Sequence, residues 1–148
     1  MAVANPAHQE LAGWLLAREI GDRDGLDAEV AAAELVCRKL SRRLARLVTS
    51  AGCQALLERA LHLARAEAPL LEGVRVGASP EICLEGLLER AEGAEPAQAR
   101  AGMTMVLASL FGLLATFIGD ELTLRLVRDV WPDARLDETD RGTQETHS

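Results

Sequence analysis

The chain has 148 residues, 49% hydrophobic, 26% charged and 3% aromatic, and a mean hydropathy of +0.05, which excludes a protein that is mostly membrane-embedded. A chain this long builds one core, burying roughly 68–70% of the surface that its unfolded form exposes. The net charge of −7 disfavours nucleic acid as a partner, because phosphate backbones attract positive fields.

The apolar share is mainly Ala and Leu, both good helix formers, and tyrosine is absent. The fold class is therefore all-α. The opening segment MAVANPAHQE lacks the basic stretch and apolar run of a secretory signal, and the expected location is the cytosol. Asn5-Pro6 reads as a cap and first-turn proline, opening a first helix over 6–20 that stops at Gly21. After GDRDGLD, Asp27 is the expected cap of a second helix reaching Val48, whose inward face is Val30, Ala33, Cys37, Leu40, Leu44, Leu47 and Val48. Ser50 is the expected cap of a third helix, with Cys53, Leu56, Leu57, Ala60, Leu61 and Ala64 inward and Pro69 beyond its end. The short turn between them predicts an antiparallel hairpin of helices two and three.

LLEGVRVGA at 70–78 allows a brief extended excursion, and Ser79-Pro80-Glu81 resets the chain into a fourth helix, to Glu92. Glu95-Pro96 opens a fifth helix containing Ala101–Gly119, nineteen residues without a charge. Gly119-Asp120 then stops it and caps the last element, ELTLRLVRDVW. That segment fits both a strand, through Leu122, Leu124 and Leu126, and a helix, through Leu122, Leu126, Val127 and Val130. Helix is favoured because no convincing partner strand exists. Residues 133–148 carry two apolar side chains and many charges, so the expected organisation is a helical bundle domain over 1–132 and a disordered acidic tail over 133–148.

Catalytic signatures are missing: no phosphate-binding glycine loop, no nucleophile elbow, and no H-x-x-x-H or C-x-x-C pair with metal-ligand spacing. The expectation is a non-enzymatic protein without cofactor or metal. His62, inside the third helix, lacks the residues that follow a phosphotransfer histidine. Cys37, Cys53 and Cys83 read as small buried hydrophobes in a reducing compartment. The specific anomaly is positive charge: Arg38, Lys39, Arg42, Arg43 and Arg46 on the second helix. Their spacing gathers them on a stripe away from the apolar face, a partner-binding surface in an otherwise acidic chain. Glu81, Glu85, Glu89 and Glu92 on the fourth helix offer a complementary stripe, within one chain or across a homo-oligomer. A helix-turn-helix reading fails on placement, because the arginines lie on the first helix of the pair.

The uncharged run spans roughly 28 Å as a helix, the thickness of a bilayer core. Small residues four apart, Thr104, Ala108, Gly112 and Thr116, suit close helix packing in either setting. The flanks carry no aromatic belt and no charge asymmetry that would assign an orientation. Four amphipathic helices need a common core, and a helix apolar all round supplies it. The fold expected is a single orthogonal or up-down bundle of about six helices around 101–119, with Val106, Leu107, Leu110, Phe111, Leu114 and Phe117 filling the space between neighbours. The function expected is a cytosolic bacterial adaptor or regulator, homo-oligomeric or bound to a protein partner through the basic stripe. The alternatives are a membrane-associated protein anchored by 101–119 and a helical small-molecule sensor with room beside Ala108 and Gly112.

Overall fold

A computed structural model describes residues 6–23, 25–77 and 84–132. Six helices are present among the described residues: α1 (Pro6–Ile20), α2 (Leu26–Leu44), α3 (Ser50–Glu67), α4 (Leu87–Glu92), α5 (Pro96–Ile118) and α6 (Asp120–Val130). A 3-10 turn, Pro69–Leu71, and two short strands, β1 (Arg75–Val76) and β2 (Leu84–Glu85), lie between α3 and α4. The expected tail, 133–148, lies outside the described residues.

The fold is an all-α bundle with α5 at its centre. Helix α5 packs chiefly against α3 and α1, and also against α6 and α2. Its buried stretch runs from Gly102 to Leu114, with Met103, Val106, Leu107, Ala108, Leu110, Phe111 and Gly112 inside. An apolar residue excluded from water contributes roughly 1.5–3 kcal/mol, and α5 concentrates many at once. Its most apolar window has a mean hydropathy of 2.0 and is 56% buried by the rest of the chain. The burial stops short of the C-terminal end: Phe117, expected in the core, is 63% exposed.

Local chemistry explains the boundaries. Pro6 and Pro96 begin α1 and α5, where the missing N–H is an orphan in any case. Asp27 does not cap α2. Gly25, at φ +103°, takes the cap position, and Asp27 and Glu29 sit in the first turn, where carboxylates suit the helix dipole. Thr49 rather than Ser50 caps α3, its hydroxyl oxygen accepting from Gly52 N at 3.0 Å. Gly119, at φ +95°, forms the corner between α5 and α6, a conformation that costs an L side chain strain. Its carbonyl accepts from the buried Thr123 hydroxyl at 2.8 Å, so that hydroxyl is satisfied.

Three further expectations change. Helix α2 ends at Leu44, not Val48, because the chain turns over 45–48; Leu47 is therefore 48% exposed instead of inward. Helix α3 then packs on α5 rather than back along α2, so no α2–α3 hairpin forms: the apolar surface of α5 is the better partner. The expected fourth helix shortens to Leu87–Glu92, because Leu84–Glu85 pairs antiparallel with Arg75–Val76 in the register Arg75 to Glu85 and Val76 to Leu84. Glu81 lies outside the described residues. The ambiguous last element is a helix, with Thr123, Leu126 and Val127 on its buried side.

This burial pattern separates two phenylalanines on one helix. Phe111→Ala is expected to destabilise the protein by about 3–5 kcal/mol, as truncation of a fully buried ring does. Phe117→Ser should stay within about 0.5 kcal/mol of the parent. Urea denaturation without detergent measures both, and equal effects would contradict the packing.

Candidate functional site

Helix α2 carries Arg38, Lys39, Arg42 and Arg43, and Arg46 follows in the turn beyond its last residue. The five do not form a uniform stripe. At about 100° per residue, Lys39 and Arg43 lie nearer the apolar face than Arg38 and Arg42 do. They are drawn into packing with the neighbouring helices. Lys39 Nζ lies 2.7 Å from Glu19 Oε2 on α1 and 5.9 Å from the centre of the Trp131 ring, at the end of α6. Arg43 Nη2 lies 3.1 Å from Asp129 Oδ2 on α6. Arg38 is half-buried, and its Nε is buried without an acceptor among the described residues.

Arg42 and Arg46 differ. Both are exposed, and neither is ion-paired among the described residues. Together with Lys39, Arg43, Asp129 and Val130 they line an open depression of about 370 Å³. Its charged groups are four cations and one carboxylate, so it stays locally positive on a chain whose net charge is −7. Within one chain the acidic stripe does not pair with it among the described residues: Glu85 lies 3.5 Å from Arg75, and Glu89 and Glu92 are exposed on α4.

Glu19 holds this surface in place. Its side chain is 9% exposed, and Oε2 accepts from both Lys39 Nζ at 2.7 Å and Trp131 Nε1 at 2.6 Å. Burial alone would raise its pKa. The hydrogen bonds from Lys39 and Trp131, with the positive charges of Lys39 and Arg18, outweigh burial and hold the carboxyl below its ordinary 4.5. One carboxylate thus ties α1, α2 and the end of α6 together. Glu19 and Trp131 could not be assigned to this surface from sequence, since they lie twenty residues before Lys39 and far beyond it.

The other flagged residues are placed as follows. His62 is exposed on α3. Cys37 is buried, and Cys53 is half-buried with its thiol pushed up by burial; Cys83 lies outside the described residues. His8 belongs to the first turn of α1, where burial lowers its pKa below 6.5 against the opposing charge of Asp120. No protein-family model, curated protein or solved structure matches this chain.

Because the Glu19 carboxyl is held below its ordinary value, its stabilisation is fully present above 4.5 and is lost as pH falls through the folded-state value. Glu19→Gln should therefore cost about 1–3 kcal/mol at neutral pH. The gap from the parent should narrow in acid, as measured by urea unfolding across a pH series.

Proposed function

We propose that this protein is a non-enzymatic interaction module whose basic surface on α2 docks an acidic segment of a protein partner. The observation that carries the reading is the division of labour among the cations. Lys39 and Arg43 are anchored to α1 and α6, whereas Arg42 and Arg46 stand exposed beside them. Arg42, on a helix braced from two sides, loses less freedom on binding than a cation on a loop does, and Arg46 follows in the turn just beyond that helix. A local positive field also selects partners, since it attracts acidic surfaces and repels basic ones.

The depression favours an extended acidic peptide over a flat interface, because its guanidinium groups offer forked donors that match carboxylates. Asp129 inside it sets register, since a partner carboxylate placed there would meet a like charge. A regulator or adaptor in the cytosol, free or self-associated, is the role that fits such a surface.

The test uses a fluorescein-labelled glutamate-rich peptide and the full chain at low ionic strength, read by fluorescence anisotropy. Binding is expected, weakening steeply with added salt. Arg42→Glu with Arg46→Glu should reduce affinity by about tenfold or more while leaving the thermal unfolding curve nearly unchanged. A double variant that binds as the parent does, or a parent that binds no acidic peptide, overturns the reading. Sedimentation velocity of the parent and double variant separates an acidic partner from a second copy of this chain.

A further inference from the structure

The cationic depression on α2 is rimmed by the end of α6. Asp129 and Val130 line it together with Lys39, Arg42, Arg43 and Arg46. The next residue, Trp131, is buried; its ring centre lies 5.9 Å from Lys39 Nζ, and its Nε1 donates to Glu19 Oε2 at 2.6 Å. The chain therefore leaves α6 at the edge of the depression, and Trp131 fixes that exit. Pro132 follows as the last described residue.

The sequence continues with DARLDETD over 133–140. This segment carries four carboxylates, Asp133, Asp137, Glu138 and Asp140, against one cation, Arg135. The depression has the opposite balance, four cations and one carboxylate. Lys39 and Arg43 are already paired, with Glu19 and Asp129, so the exposed Arg42 and Arg46 are the groups that a further carboxylate would meet. Reach is sufficient. Arg42 and Arg46 lie three and seven residues beyond Lys39, roughly 5–11 Å along a helix axis, whereas the five residues from Pro132 to Asp137 can extend to roughly 17 Å.

Tethering decides between occupants. A segment attached at the rim competes at an effective concentration of about millimolar, which a second copy of the chain at micromolar concentration does not match. Exposed carboxylate–guanidinium contacts are individually weak. A few of them hold a tethered segment for part of the time and leave room for displacement by a partner.

We propose that residues 133–140 occupy the α2 depression of their own chain, with their carboxylates on Arg42 and Arg46, and so compete with an acidic partner for it. This rests on the same reading of the surface, a dock for acidic segments, and adds a threshold to it. A partner displaces the segment when its carboxylates are denser than those of DARLDETD.

The experiment compares the full chain with a variant carrying Asp133→Asn, Asp137→Asn, Glu138→Gln and Asp140→Asn. A control carries Glu72→Gln, Glu89→Gln, Glu92→Gln and Glu95→Gln, which removes the same number of charges from exposed positions on and around α4. At low ionic strength and without peptide, the Nε–Hε resonances of Arg42 and Arg46 should shift in the segment variant and stay in place in the control. The fluorescein-labelled glutamate-rich peptide should bind the segment variant about threefold or more tightly than the parent, as the free fraction of the surface rises, and the control within about twofold of the parent. The inference is overturned if the arginine resonances of parent and segment variant coincide, or if segment variant and control bind the peptide equally. It is also overturned, in favour of a second copy, if the resonance difference vanishes on dilution. Resonances that shift while neither parent nor variant binds peptide would retain the occupancy and remove the partner; resonances that coincide while the peptide binds would do the reverse.

Discussion

The bundle depends on hiding one helix. Nineteen consecutive residues without a charge are costly to leave in water, and α5 hides the middle of that run, Gly102–Leu114, against α1, α3, α6 and α2. Isolated helices of the length of α1 or α6 are marginal in water, so their stability comes from packing an apolar face. Helix α5 provides the surface. Leu11, Ala12 and Leu15 of α1 and Leu57, Ala60, Leu61 and Ala64 of α3 belong to the same continuous core. Gly102 marks a close approach of α5 to the 3-10 turn, since a Cβ there would lie 3.2 Å from Leu70.

The electrostatic layout follows from that packing. Seating α1 and α6 on α5 brings Glu19, Lys39 and Trp131 together from three distant parts of the chain. Breaking such a buried cluster is expensive because it strands a charge. The Arg43–Asp129 pair nearby is more exposed, at 35% and 40%, and contributes about 0–1 kcal/mol. Two of the five cations on and after α2 are thereby committed to the fold, and Arg42 and Arg46 remain on its surface.

Much of the architecture was legible in the residue pattern. Helical spacing located α1 and α3, the uncharged run located α5, and the helical choice for 120–130 follows once Leu126 and Val127 have a core to enter. What escaped depends on tertiary context. Leu84–Glu85 leaves the helical pattern only because Arg75–Val76 is there to pair with it. Leu47 and Phe117 look like core residues by spacing but fall where the chain turns or the bundle ends. The basic cluster was visible, yet its division into anchored and exposed members was not. That division depends on Glu19 and Asp129, whose positions are set by how α1 and α6 dock.

The claim on which the rest stands is that α5 is the axis of the folded core. Native-state hydrogen exchange of detergent-free protein tests it most directly, since amides in a core helix exchange only through global opening. The account predicts the slowest exchange over residues 102–114, at the free energy of global unfolding, with faster exchange towards Phe117 and the end of α6. Rapid exchange throughout 102–114 in water, becoming slow only when lipid bilayers are added, would contradict it.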